Sequence, residues 1–267
     1  MITGNSEKLP VIDHLSYSAV NTYQQCPLKW YFRYVEKIPE EVICSALVFG
    51  SAIHSGIERH FQTLLETGNA PTTEELLEAF DECWTSFDTD LIKFGKGDDT
   101  QTMRELAKKM FTTFQASHFA NPKGTIVAVE ESMRAEFVTG VPDVLARVDL
   151  AVQSEDELVL TDFKTSRSRW SADQAQSQAE QLLLYADLAG RVLDGKQIKL
   201  QFAVVTKSKK PVIEVHEVSL DTARLDRTKA VFSRVWDAIQ SGNIYPSPSP
   251  LNCHSCGYQT ACRAWNG

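Results

Sequence analysis

Two segments of this sequence carry side chains whose types and spacing could do chemistry. The first is Leu158-Val159-Leu160-Thr161-Asp162-Phe163-Lys164. Read as a strand, it places Asp162 and Lys164 on one face and Thr161 and Phe163 on the other. In the stretch before it, Arg147, Asp149 and Ala151 share one face and Val148, Leu150 and Val152 the other. A hairpin through Gln153-Ser154-Glu155-Asp156 would bring Asp149 near Asp162. Two carboxylates and a lysine suit phosphodiester hydrolysis. The carboxylates hold a hard divalent cation such as Mg²⁺ or Mn²⁺, which polarises the phosphate and activates a water. The lysine steadies the developing charge or orients that water. A bare D-x-K is more often a surface salt bridge, so these residues alone do not decide.

The second segment is Cys253-His254-Ser255-Cys256-Gly257-Tyr258-Gln259-Thr260-Ala261-Cys262, a C-x2-C-x5-C pattern. A C-x2-C turn presents two thiolates to one metal, and the third cysteine lies within reach. The fourth ligand is missing locally; Cys26, followed by Pro27, is the candidate, and His254 is another for zinc. Such thiolate sets suit zinc or an iron–sulfur cluster, and spacing does not choose between them. Cys44 and Cys83 sit in helical patterns and read as buried hydrophobes.

The elements that have to position these groups fall in a clear order. Residues 1–15 read as an irregular lead-in. Ser18 caps a short helix through Gln25, and Pro27 opens a second reaching about Tyr34. Residues 46–67, 73–93 and 101–119 carry helical apolar patterns, with loops at 95–99 and 121–124. Residues 125–138, 144–153 and 157–164 then read as strands, followed by a helix at 172–193, strands at 198–206 and 211–218, and a helix at 220–241. The last 25 residues look irregular. The order predicts an α/β or α+β fold, with a central sheet preceded by a helical region.

Bulk properties narrow the function classes. With 267 residues, 43% of them hydrophobic, the chain can bury a substantial core as one domain of ordinary to large size. No apolar run approaches the ~20 residues of a membrane span, and no secretory signal is visible, so a cytoplasmic protein without membrane contact is expected. In that compartment six cysteines point to metal rather than disulfides. A net charge of −8 excludes a wholly basic nucleic-acid coat but permits a local basic groove. Basic residues do cluster, as Lys164, Arg167 and Arg169, and as Lys207, Lys209 and Lys210. Trp170 beside the first group is a candidate for base stacking, while Trp30, Tyr31, Phe32 and Tyr34 read as core.

The row Gly50-Ser51-Ala52-Ile53-His54, Asp149, Asp162-Phe163-Lys164 and Gln181 with Tyr185 resembles the PD-(D/E)xK nuclease superfamily. Within it the row is most similar to the RecB-type branch, which includes the AddB nuclease domain and the CRISPR spacer-acquisition nucleases. The resemblance runs from about residue 14 to 263. It implies a restriction-endonuclease-like α/β core: a central mixed β-sheet flanked by helices, with an N-terminal helical region and a C-terminal iron–sulfur segment. As one domain, the chain would comprise a helical region over about 16–120, a nuclease core over about 125–242, and a segment at 243–267 joined to Cys26.

The resemblance also implies the site. His54, Asp149, Asp162 and the backbone carbonyl of Phe163 would hold Mg²⁺ or Mn²⁺, and Lys164 would be the catalytic lysine. Gln181 and Tyr185, four apart on one helix face, would contact DNA or orient that lysine. Glu130 matches a glutamate often seen on the first strand, with a supporting place only. Ala146 stands where the family often has glycine. Cys26, Cys253, Cys256 and Cys262 would hold a [4Fe-4S] cluster. The implied substrate is DNA, single-stranded or at duplex ends, cleaved in repair, recombination or CRISPR- and phage-related processing. A helicase or CRISPR integration proteins would be partners; the chain carries no G-x-x-x-x-G-K-[ST] motor motif of its own. The competing readings are a non-catalytic iron–sulfur DNA-binding module or helicase–nuclease accessory subunit, and a zinc-stabilised protein of unrelated function.

Overall fold

A computed structural model describes residues 12–190 and 196–266. Helix α1 (Tyr17–Gln25) is capped by Ser16, whose side chain accepts from the Ala19 N–H. The expected cap, Ser18, lies inside the helix, where its carbonyl takes the Thr22 hydroxyl. Pro27 opens α2 (Pro27–Trp30), as its fixed φ and missing N–H favour, and one π-helical turn (Tyr31–Val35) continues it. Then come β1 (Ile43–Cys44), α3 (Ser45–Thr67), α4 (Thr73–Thr85), β2 (Ile92–Lys93) and α5 (Thr100–Gln115). Cys44 thus ends a short strand and does not sit in a helix. Helix α4 starts at a capping box formed by Thr72 and Glu75, and α5 at one formed by Asp99 and Thr102. The helix expected over 73–93 stops at Thr85, because β2 pairs in parallel with β1.

Strands β3 (Thr125–Ala135), β4 (Val144–Gln153) and β5 (Glu157–Ser166) follow. The helix expected over 172–193 is broken into α6 (Ala172–Ser177) and α7 (Glu180–Gly190); residues 191–193 lie outside the described residues. Strands β6 (Gln197–Thr206) and β7 (Ile213–Val218) precede α8 (Thr222–Gln240). The expected irregular ending contains two short helices, α9 (Pro250–Cys253) and α10 (Gln259–Ala264).

The chain divides into two compact units. One draws on Met1–Val42, Arg134–Leu145 and Asp226–Gly267, the other on Ile43–Met133 and Ala146–Leu225. The five-stranded sheet has the order β3-β4-β5-β6-β7. Strand β4 runs antiparallel to β5, β5 parallel to β6, and β6 antiparallel to β7. This is the mixed central sheet flanked by helices that the sequence predicts. The parallel β5–β6 pair needs a crossover, which α6 and α7 supply. Both strands are buried over most of their length, as a covered parallel pair requires.

The covering of the second unit's sheet explains where its polar groups go. Phe163, Leu150, Val152, Ala203 and Val205 join the core of α3, α4 and α5, with the Phe163 ring 5.9 Å from Phe61 and 6.0 Å from Phe114. The residues alternating with Phe163 on β5, Asp162 and Lys164, therefore point away from that core. Helix α7 packs on β5 and β6.

In the first unit, Leu28, Phe32 and Tyr258 form a small apolar core against which Cys26, Cys256 and Cys262 pack. Trp30 is also buried, while Tyr31 and Tyr34 beside it are half-buried. Among the described residues no helix is long and apolar enough to cross a membrane.

Candidate active site

The site lies within the unit that holds the sheet, and its first part is a substitution in the β4–β5 ladder. The ladder ends with Leu150 opposite Thr161, and the next residues on the two strands are Asp149 and Asp162. There the Phe163 N–H donates to Asp149 Oδ2 at 2.7 Å instead of to a main-chain carbonyl. In extended backbone a residue's N–H and C=O leave on the same edge, so the Phe163 carbonyl is on the Asp149 side of β5.

Helix α3 brings His54 to this point. Its Nδ1 lies 3.4 Å from Asp149 Oδ2 and 3.9 Å from Glu130 Oε1. Glu130 comes from β3, where its φ of 49° puts a non-glycine residue in the left-handed region. That twist interrupts the strand's alternation at the residue whose carboxylate enters the site. Ligand atoms of His54, Glu130 and Asp149 all lie within 4.8 Å of one another. Arg147 holds the far side of Glu130: its Nε is 2.7 Å from Oε2 and donates to the Glu130 carbonyl at 3.2 Å.

A polar chain runs on from Asp149. Asp162 is 1% exposed on central strand β5, and its Oδ2 is 2.7 Å from Lys164 Nζ. Lys164 donates to Gln181 Oε1 at 3.2 Å, and Gln181 Nε2 donates to the Tyr185 hydroxyl. The amide orientation follows from chemistry, since an ammonium can only donate and requires the amide oxygen. Gln181 and Tyr185 sit on α7, four residues apart on one face, as expected.

The electrostatics are those of crowded carboxylates. Burial, and then the Asp162 charge, push the Asp149 carboxyl up to about 7. Burial alone would lower the His54 ring, but Glu130, Asp149 and Asp162 prevail and hold it above its ordinary value. Lys164 is likewise opposed by burial, yet Asp162 keeps it more firmly protonated than a free lysine. Burial pushes the Tyr185 phenol up, beyond any physiological titration.

These residues fit a divalent cation. One imidazole, several carboxylate oxygens and a nearby carbonyl are the donors that hard ions of the Mg²⁺ and Mn²⁺ class take. Burial and the crowding of Asp149 with Asp162 and Glu130 give a setting in which a cation would be favourable. Of the expected ligands, His54 and Asp149 stand in the three-ligand group and Asp162 adjoins it. Glu130, given only a supporting place by sequence, is in that group. Arg147 drew no functional reading from the sequence. The signal for Glu130 is its match to a first-strand glutamate of the family it resembles; nothing local marks Arg147.

The remaining candidates separate. In the other unit, Cys26, Cys253, Cys256 and Cys262 are all free thiols. Burial raises the Cys262 thiol, and Cys26, Cys256 and Cys253 add to the rise, so the four are electrostatic neighbours. The Ser247 N–H donates to Cys26 Sγ at 3.4 Å. Trp170 is half-buried, its ring edge-on to Phe202 at 5.3 Å. Arg169 is paired with Glu214, and Lys207 lies over the Phe49 ring at 5.8 Å.

Comparisons with known proteins bear on this geometry. The profile of the PD-(D/E)XK nuclease superfamily matches residues 14–263. The structure of a provisionally assigned exonuclease from Eubacterium rectale superimposes with a TM-score of 0.62 at 14% identity, covering 100% of this chain and 94% of its own. The structure of SSO0001 gives a TM-score of 0.38 at 14% identity over 94% of this chain and 96% of its own, too distant to bear on the fold. No curated protein matches the sequence.

Proposed function

The chain belongs to the PD-(D/E)XK nuclease superfamily, and from that premise we propose that it is a Mg²⁺- or Mn²⁺-dependent deoxyribonuclease acting on single-stranded DNA or DNA ends. One observation carries the reading. The His54–Glu130–Asp149 ligand group and the Asp162–Lys164–Gln181–Tyr185 chain meet at one place, on strands β3, β4 and β5 and helices α3 and α7.

His54, Glu130, Asp149, Asp162 and the Phe163 carbonyl would hold the cation. When bound, it would polarise the phosphodiester and make a water more acidic. The protein's own groups do the rest. Asp149 is tied to the Phe163 N–H, which fixes one carboxylate oxygen relative to β5. Lys164 is held between Asp162 and Gln181, so its charge is pre-positioned against the negative charge that develops on the phosphate. Tyr185 and Gln181 restrict that ammonium to one direction.

We read Cys26, Cys253, Cys256 and Cys262 as [4Fe-4S] ligands with a structural role. Their mutual influence around one small apolar core supports this, as does the N–H donated to Cys26. RecB-type membership as a single nuclease domain belongs to the same reading and rests on resemblance alone. So do a cytoplasmic place and a helicase or CRISPR integration proteins as partners.

The test is digestion of end-labelled single-stranded and duplex DNA by anaerobically purified protein. Cleavage is expected with Mg²⁺ or Mn²⁺ and not with EDTA. Asp162→Ala and Lys164→Ala should each lower the rate by roughly 10²-fold or more while the fold survives. Undiminished cleavage by both variants would overturn the reading, and binding without cleavage by the unaltered protein would favour a non-catalytic module. Iron and sulfide in equal amounts are expected in the purified protein; zinc in their place would overturn the cluster assignment.

A further inference from the structure

We propose that Arg147 binds a phosphate of the nucleic-acid strand, next to the one engaged at the His54–Glu130–Asp149 group. The proposal rests on the DNA-nuclease reading and adds to it the residue that grips the strand.

Arg147 lies on β4 two residues before Asp149, on the same face of the strand. Its guanidinium is anchored at the root. The Nε is engaged by both the Glu130 carboxylate and the Glu130 carbonyl, while the other Glu130 oxygen faces His54. One carboxylate therefore spans the ligand group and the guanidinium. Every nucleotide of a strand carries a phosphate, so a strand engaged at the ligand group brings further phosphates close by. A cation that shares the Glu130 carboxylate with that group lies on the strand's path.

The outer edge of the guanidinium is available. The side chain is 57% exposed, and Nη2 is 3.9 Å from Glu58 Oε1, beyond hydrogen-bonding distance. Among the described residues, no hydrogen bond engages Nη1 or Nη2. Arginine presents five donors in a rigid fork, and the paired outer nitrogens match two phosphate oxygens. Lys164 does not compete for this task, because its ammonium is turned inward between Asp162 and Gln181.

Charge makes the need plain. Glu58, Glu130 and Asp149 are partly exposed beside the site, with Asp162 buried behind them, and carboxylates repel a polyanion. A bound cation would be largely neutralised by the groups that ligate it. A strand held only there would meet net negative surroundings, and an exposed arginine at the rim corrects this.

The alternative is that Arg147 only anchors Glu130 in its left-handed conformation. Two variants separate the roles. Arg147→Gln keeps a donor for Glu130 but removes the charge; Arg147→Lys keeps the charge but removes the fork. Binding of a fluorescent single-stranded oligonucleotide is measured against NaCl concentration, with Ca²⁺ replacing the activating ion. Mn²⁺ affinity is measured separately, without DNA.

For Arg147→Gln the plot of log affinity against log salt should become shallower by about 0.7, the loss of one phosphate contact to a single strand. Arg147→Lys should keep the slope and bind more weakly than the unaltered protein. An unchanged slope in Arg147→Gln would overturn the proposal, whether or not Mn²⁺ affinity falls. Should Arg147→Gln fail to fold, Arg147→Lys decides: binding as tight as that of the unaltered protein would overturn it. If the unaltered protein binds neither single-stranded nor duplex DNA, the DNA reading itself fails, and this proposal with it.

Discussion

Replacing Asp149 by asparagine should stabilise the metal-free protein while abolishing its response to metal. In the fold, burial and Asp162 push this carboxyl up to about 7, against an ordinary value of 3.8. Between those two values the folded state binds more protons than the unfolded chain, so this group's contribution falls as pH rises through that window. Each unit is worth ~1.4 kcal/mol, so an ionised Asp149 costs the metal-free fold on the order of 4 kcal/mol at neutral pH. Asparagine removes that cost and keeps an oxygen to accept the Phe163 N–H. It also gives up the attraction of Asp149 for His54 and Lys164. A net gain of roughly 2 kcal/mol is expected at pH 7.5, or ~4–8 °C in Tm. The gain should shrink steadily toward pH 4. Excess Mn²⁺ should reverse the order, because a ligand that binds only the native state stabilises it by mass action and the variant has lost a ligand. The assay is thermal and urea unfolding of EDTA-treated protein from pH 4 to 8, repeated with Mn²⁺. A variant no more stable than the parent in EDTA at pH 7.5, or a difference that does not change with pH, would refute the reasoning.

Other perturbations have equally definite outcomes. His60 is 1% exposed, its Nε2 is on the Ala120 carbonyl at 2.8 Å, and burial lowers its pKa below 6.5. Its stabilising effect is full above 6.5 and is lost as pH falls below that value, so urea titrations should show a steeper loss between pH 6.5 and 5 than in His60→Phe. Gly56 on α3 has no room for a side chain, since a Cβ would lie 2.2 Å from the Phe111 ring. Gly56→Ala should cost ~1–3 kcal/mol in urea unfolding, and a neutral result would contradict the α3–α5 packing. Gln181→Ala frees Lys164 on one side and should slow DNA cleavage roughly 10–100-fold, with Mn²⁺ affinity kept; an unchanged rate would remove Gln181 from the machinery.

Much of this was readable in the linear chain because it depends on periodicity and local chemistry. Pro27 at the start of α2 and the alternation through β4 and β5 are local preferences that the fold honours. The same alternation put Asp162 and Lys164 on one face and opposed Asp149 to Asp162. Spacing of four put Gln181 and Tyr185 side by side. The order of His54, Asp149, Asp162-Phe163-Lys164, Gln181 and Tyr185 points to the superfamily by itself.

What the line of residues could not supply was long-range and conformational. Helix α4 stops early because β2 pairs with β1, a contact between residues far apart in sequence. Glu130 enters the ligand group through a backbone in the left-handed region, which breaks the strand period and which no residue type announces. Arg147 looks like any exposed strand arginine until the fold places Glu130 beneath its Nε. The meeting of His54 from a helix with three carboxylates from three strands is likewise a property of packing: side chains tens of residues apart acquire shifted charges and shared ligands only when the core of Phe61, Phe114 and Phe163 sets how α3 lies on the sheet.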